Sequence, residues 1–184
     1  VWGIIGETYH LMGRQALQRQ SGEQHPKASL YESRRGPGAH YMRKCYDAYD
    51  RALALRYDNP MVLNNYAYFL SLEGRDLERA LTMAARAIVL EENNPTYLDT
   101  YAWVLYRLGR YDEAKKAMQQ ALSLDRRKSP DLQLHYGDIL AALGEKFMAE
   151  VYWKKALEGG YDDPEAIAER FRRMKESSQT PARP

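Results

Sequence analysis

Apolar residues between positions 94 and 125 recur at three- and four-residue intervals. Leu98, Tyr101, Ala102 and Leu105 stand at i, i+3, i+4 and i+7, which predicts one apolar stripe along a helix. A second stripe, Ala114, Ala117, Met118, Ala121 and Leu122, has the same spacing. Asn94-Pro95 predicts the start of the first helix, because Asn caps and Pro tolerates the first helical position. Leu108-Gly109 predicts its end, with Gly taking the left-handed residue past the last turn. Small residues at Ala114 and Ala121 predict a close approach of the two backbones, with Tyr101 and Met118 filling the space between them.

This helix pair repeats along the chain. At an offset of 35, Asn59-Pro60, Leu63, Tyr66-Ala67, Leu70 and Gly74 fall on Asn94-Pro95, Leu98, Tyr101-Ala102, Leu105 and Gly109. After one extra residue at Asp76-Leu77, Ala80, Ala87 and Leu90 fall on Ala114, Ala121 and Leu124 at an offset of 34. The next copy carries Tyr136, Leu140, Gly144, Ala149 and Ala156-Leu157, with Pro130 at its start. Upstream, Gly6, Tyr9 and Gly13 match Ala67, Leu70 and Gly74 at an offset of 61, whereas Cys45, Tyr49 and Ala52-Leu53 match Ala80, Ala84 and Ala87-Ile88 at 35. The difference, 26 residues, predicts an insertion inside the first pair, with Arg14–Gln20 available to extend its first helix. Its Gly/Pro-punctuated stretches, Ser21–Pro26 and Arg34–His40, predict a loop over about 14–40.

The organisation expected is therefore an interrupted unit over 1–58, units over 59–93, 94–129 and 130–163, a capping helix over 164–176 and a frayed tail over 177–184. The cap carries one stripe, Ile167, Phe171 and Met174, on an otherwise Arg/Glu surface. The fold class expected is an all-α, right-handed α-solenoid of about four helix-turn-helix units plus this C-terminal helix.

Composition narrows the chemistry. The 184 residues are 45% hydrophobic and 28% charged, enough for a core, and a net charge of +2 removes the broad attraction that drives non-specific nucleic-acid binding. One cysteine, Cys45, makes neither an internal disulfide nor a multi-thiolate metal site. It occupies the small-residue slot of Ala80, which predicts a buried thiol rather than a reactive one. The longest apolar run, Tyr101–Tyr106, is six residues, too short to span a bilayer, and Val1–Gly6 lacks the basic start of a signal peptide. A start at Val1 predicts a fragment or processed form. Trp2 and Ile5 are expected to be exposed at that edge, with further repeats upstream.

Leu108-Gly109-Arg110-Tyr111-Asp112-Glu113-Ala114, inside a two-helix unit of about 34 residues, resembles the tetratricopeptide repeat. The likeness covers nearly the whole chain, with three good repeats over 59–160 and an interrupted one over 1–58. Leu63–Tyr68 and Tyr97–Trp103 are similar to phrases in repeat arrays of bacterial cell-envelope proteins, often lipoproteins, which implies a periplasmic or outer-membrane-anchored location. The family implies a concave groove lined by the first helix of each pair, and a protein or extended peptide as partner. Counted on the family's groove positions, it places Asn64, Asn65 and Tyr68 there, then Asp99, Thr100, Trp103, Tyr106 and Arg107, then Leu134, His135 and Asp138, with Glu7 and His10 as their first-unit equivalents.

On this reading Trp103 is an exposed groove anchor between Tyr68 and Tyr106, or else is covered by a neighbouring helix or by the insertion. Paired Asn64 and Asn65 either cap locally or hold a peptide backbone. Members of the family that clamp a chaperone's carboxyl end use Lys, Asn and Arg at set positions. Here only Asn65 matches, while Gly3, Glu7, Thr96 and Thr100 stand where cations or Asn are expected, so that clamp is disfavoured.

No nucleophile, zinc, phosphate-loop or dinucleotide motif is present, and no cofactor is implied. Asp131, His135 and Asp138 share one helix face, where a metal or acid–base site can be drawn. Helical metal sites draw ligands from several elements, so the reading is a polar groove contact and a non-catalytic protein. The insertion's surplus of +3 reads as a solvated excursion, with a lid over the groove or a contact to an acidic partner as the sharper alternative. The function expected is a protein- or peptide-binding scaffold. The alternatives are a spacer or self-association segment of a longer array, and a regulatory appendage to an enzyme outside these residues.

Overall fold

The computed structural model describes residues 1–20 and 37–179. Among them the chain is all-α, a series of helix pairs: α1 (Trp2–Gln20), α2 (Pro37–Leu55), α3 (Pro60–Glu73), α4 (Leu77–Leu90), α5 (Pro95–Arg107), α6 (Tyr111–Leu124), α7 (Pro130–Ala142), α8 (Lys146–Glu158) and α9 (Pro164–Gln179). No helix among the described residues is long and apolar enough to cross a membrane.

Helix starts and ends follow the local chemistry. Asn59 accepts a hydrogen bond from the Val62 N–H at 3.1 Å, and Asn94 from the Thr96 and Tyr97 N–H groups at 3.1 and 3.4 Å, so each side chain satisfies donors the helix leaves open. Pro60, Pro95 and Pro130 follow at the first helical turn. Gly109 and Gly144, at φ of 77° and 79°, close α5 and α7 in the left-handed region that other residues adopt at a cost.

The insertion is narrower than expected. α1 runs through Gly13 to Gln20, since one interior Gly costs only about 1 kcal/mol, which neighbouring packing outweighs. α2 begins at Pro37, so residues 37–40 are helical rather than loop. The remainder of the predicted loop, 21–36, lies outside the described residues. At the other end α9 continues to Gln179, past the expected boundary at 176, and residues 180–184 of the predicted tail are not described.

Two compact units divide the chain, Val1–Glu92 and the residues from Asn93 onward. In the first, α1 packs on α2 and α3 on α4. Tyr49 and Tyr66 stack at 5.1 Å in its core, over fully buried Ala80, Ala84 and Ala87. The Tyr66 hydroxyl donates to Asp50 (3.1 Å) and accepts from Arg79 (3.3 Å), joining α2, α3 and α4. Cys45 is fully buried, and its thiol is pushed up to about 12 by burial first and by the charge of Glu73 second. That thiol stays protonated and unreactive at neutral pH.

In the second unit α5 packs on α6 and α7 on α8, with α7 also against α5 and α6 and α9 against α8. Ala102, Val104, Met118, Ile139, Ala149, Ala156 and Ile167 are fully buried. Gly137, in the middle of α7, lies under the Trp153 indole. A Cβ there would meet Trp153 Cδ1 at 2.4 Å, so only Gly fits. Gly6 stands in the same relation to the Tyr49 ring, at 2.7 Å.

The expectation of Trp2 and Ile5 as exposed edge residues is corrected. Both are half-buried, and the Arg51 guanidinium lies 5.1 Å from the Trp2 ring centre. The helix phase turns Val1, Ile4 and Leu11 outward instead, at 94%, 63% and 58% exposure.

Candidate functional site

The groove-position side chains of the second unit assemble mainly with one another. Asp99 and Thr100 on α5 are buried, and Asp99 Oδ1 lies 2.8 Å from Nδ1 of the buried His135 on α7. The His135 ring stacks on Trp103, with centroids 4.3 Å apart and planes at 23°. Trp103 in turn stacks on Tyr106 at 4.8 Å. The result is a ladder, Asp99–His135–Trp103–Tyr106, with the carboxylate at its closed end and the half-buried Tyr106 at its open one. Arg107 borders it, also half-buried.

Trp103 is therefore not the exposed anchor that its register alone implies. It is 9% exposed, covered on its two faces by His135 from the neighbouring helix and by Tyr106 from its own. Its indole Nε1 is buried without a hydrogen-bond partner among the described residues. Leaving such a donor unmatched costs about 1–3 kcal/mol.

The ladder favours a charge on its imidazole. Burial on its own lowers the pKa of His135, but the Asp99 carboxylate outweighs it, with smaller help from Asp138 and Asp131, and the imidazole is held above its ordinary value of 6.5. A His whose pKa is raised on folding stabilises most when protonated in both states, below 6.5. That stabilisation disappears as pH rises through the folded-state value. Thermal unfolding followed from pH 5 to 9 is expected to show the second unit losing stability on the alkaline side, and His135→Gln is expected to flatten that slope.

Asp138 takes a different role from the one its register implies. Its carboxylate accepts from Arg170 Nε (2.6 Å) and Nη2 (2.7 Å) of α9, and from the Trp153 indole N–H (3.0 Å) of α8. It is 8% exposed and anchors the last helix rather than facing a ligand. Leu134, at 2% exposure, is core. Asp131, His135 and Asp138 share a face of α7 yet part company: Asp131 is exposed, His135 pairs with Asp99, and Asp138 with Arg170. No group of three metal-ligating side chains occurs among the described residues.

In the first unit, Asn64 Nδ2 donates to Asn65 Oδ1 at 3.1 Å, and Asn65 Nδ2 donates in a short contact to the Glu7 carboxylate. Both amide nitrogens are thus engaged, one within the pair and one on α1, while Asn64 Oδ1 is buried without a hydrogen-bond partner among the described residues. His10 is buried flat against Phe69, with centroids 3.7 Å apart. Tyr68 is half-buried beside Phe69, at 6.1 Å. Phe69 and Arg170 escaped the sequence reading, the first because it falls between groove and core positions, the second because it sits in a run of surface charge.

Comparison with known proteins bears on the fold. The tetratricopeptide-repeat family model matches residues 95–128, which span α5, α6 and the turn after them. The first tetratricopeptide-repeat domain of Spaghetti (RPAP3), solved with an HSP90 peptide, superposes with a TM-score of 0.57 at 17% identity, covering 66% of this chain and 94% of that one. The corresponding domain of Sgt2 from Aspergillus fumigatus gives 0.56 at 18% identity, over 68% and 85%. YrrB, described as a repeat protein with an unusual peptide-binding site, gives 0.54 at 28% identity, over 65% and 60%. No curated protein matches the chain.

Proposed function

We propose, from the premise that this chain is an array of tetratricopeptide repeats, that it is a non-catalytic scaffold whose second unit grips an extended segment of a partner protein along Tyr106, Arg107 and Trp103. A similar fold carries an HSP90 peptide in Spaghetti, and YrrB is described as having an unusual peptide-binding site. Here the ligand differs from the acidic HSP90 segment SRMEEVD. Glu7 and Thr100 stand where a clamp for a terminal carboxylate needs cations or Asn, and Glu7 repels such a group.

The observation that carries the reading is the unmatched indole donor of Trp103. A residue kept only for stacking between His135 and Tyr106 has no use for that N–H, and Phe would serve. A backbone carbonyl of a bound segment supplies the missing acceptor, reached when the half-buried Tyr106 ring swings aside. The His135–Asp99 pair beneath holds the indole plane in place, so the platform is pre-organised and the segment loses little affinity to ordering it. Aromatic rings and Arg at such a site are the side chains that dominate binding energy. The narrower likeness to bacterial cell-envelope arrays adds a location to this proposal, the periplasmic side of an envelope.

The test has two stages. A photo-crosslinking amino acid at Tyr106, introduced in the native cells, is expected to capture one partner protein. Trp103→Phe, which keeps the ring and loses the donor, is then expected to weaken that partner about 5–10-fold, the worth of one hydrogen bond, while thermal stability holds or rises. No capture at position 106, or unchanged affinity with Trp103→Phe, overturns the reading.

A further inference from the structure

Position 73 breaks the repeat pattern. Its equivalents in the other copies are Met12, Leu108 and Leu143, all apolar, whereas this copy carries a carboxyl. The carboxyl is also the most deeply set of the four. Glu73 is 8% exposed, while Leu108 and Leu143 are half-buried and Met12 is exposed. A charged side chain is seldom buried unless it is paired, yet Glu73 Oε1 is buried without a hydrogen-bond partner among the described residues. Glu73 is the last residue of α3, directly before Gly74 at φ 65°, where the negative end of the helix dipole opposes a carboxylate.

The groups around it give a negative charge little support. From α2, the buried Cys45 and Tyr46 face it, and the thiol is itself held neutral. The Tyr46 hydroxyl favours the carboxylate but meets no partner in hydrogen-bonding geometry. In the turn after α3, Arg75 is exposed and lies over the Tyr46 ring, 5.2 Å from its centre. Burial outweighs both Tyr46 and Arg75, and the carboxyl is held above its ordinary value of 4.5. A carboxyl raised in this way stabilises the closed state fully below 4.5, and that contribution is lost as pH rises through the raised value.

We propose that Glu73 is a proton-dependent latch between α2 and α3. With its proton, the side chain seats as the leucines of the later copies do. It then closes the seam where Tyr46 and Tyr49 stack on Tyr66 at 5.8 and 5.1 Å. Without the proton, an unpaired charge lies inside that seam, and the last turn of α3 lifts from α2 to hydrate it. The same helix carries Asn64, Asn65 and Tyr68, so acid tightens and alkali loosens the element that presents them. The latch lies within the first unit, and the partner site proposed above lies within the second.

Cys45 reports the opening. It is the one cysteine of the chain, fully buried and facing Glu73, so a thiol reagent reaches it only when the seam opens. The labelling rate of the full chain with 4,4′-dithiodipyridine, divided by that of a short cysteine peptide at the same pH, tracks the open fraction. That ratio is expected to rise about threefold or more from pH 4.5 to pH 8. Glu73→Leu, the residue of the later copies, and Glu73→Gln, the neutral isostere, are each expected to keep it low and without that rise. Acid weakening of other ion pairs acts on all three chains alike, so the difference isolates position 73. The carbon-13 signal of the Glu73 carboxyl, assigned by its absence from Glu73→Gln, is expected to titrate with a midpoint above 4.5. A midpoint at or below 4.5, a natural chain whose ratio ignores pH, or the same rise in both variants overturns the latch.

Discussion

Replacing Gly137 with alanine is expected to destabilise the second unit by about 3 kcal/mol, although alanine is the better helix former by about 1 kcal/mol. The added methyl would sit 2.4 Å from Trp153 Cδ1 and 2.5 Å from its Nε1, with the Ala149 carbonyl at 3.2 Å behind. The indole is fixed where it is. Its N–H donates to Asp138 at 3.0 Å, and Phe171 of α9 meets it edge-on at 5.5 Å. Relief by a rotamer change therefore sacrifices a buried hydrogen bond and an aromatic contact together. Urea unfolding measures the loss, and the partner substitution identifies its cause. Trp153→Leu, costly in the natural background, is expected to cost much less in the alanine variant, because the two changes act on one contact and are not additive. Equal costs in both backgrounds would locate the strain elsewhere.

The same register explains why the repeats tolerate different residues here. Gly6 faces Tyr49 and Gly137 faces Trp153, whereas Ala67 and Ala102 occupy the same slot in units whose equivalents of Tyr49 and Trp153 are Ala84 and Met118. A smaller residue on the first helix accompanies a larger ring on the second, so the helix-pair spacing is kept while the filling changes.

Much of the fold was legible because its signals are local and repeated. Asn59-Pro60 and Asn94-Pro95 start helices, and Gly109 and Gly144 end them, through contacts within a few residues. The helix bounds around the insertion were less so. In the sequence Pro37 has the look of loop punctuation, although Pro is equally suited to open a helix, and only the packing of α2 against α1 decides between the two. The candidate site was legible as a set of positions and not as a set of partners. Register put Asp99, Trp103 and His135 at groove positions, but His135 reaches Asp99 across 36 residues, and no periodicity announces that a histidine will take the carboxylate and cover the indole. Asn64 and Asn65 are recognisable as a pair, whereas the bond of Asn65 to Glu7 depends on how α1 meets α3. Arg170 lay hidden among Glu169, Arg172 and Arg173, since a charged residue aimed inward has the same letter as one aimed at water.

Asp138→Ala is expected to cost about 3–5 kcal/mol and to release α9 before the rest of the second unit unfolds. Two hydrogen bonds to Arg170 and one to Trp153 converge on this carboxylate, which is 8% exposed. Removing it strands a guanidinium whose side chain is only 25% exposed, and also orphans the Trp153 indole N–H. The loss thus combines an unpaired charge with a buried unsatisfied donor, and each is worse than never having built the pair. Arg170→Ala, which removes the charge and leaves the indole bond in place, is expected to cost less, and Arg170→Met, which keeps much of the stem packing, less again. Limited proteolysis gives the spatial readout. With the anchor gone, Arg172, Arg173 and Lys175 on α9 become cleavable by trypsin while sites on α5 and α6 stay protected. A double-mutant cycle between positions 138 and 170 isolates the pair itself, and a coupling near zero would mean that α9 is held by Ile167 and Phe171 alone, with Asp138 free for the ligand role its register first implied.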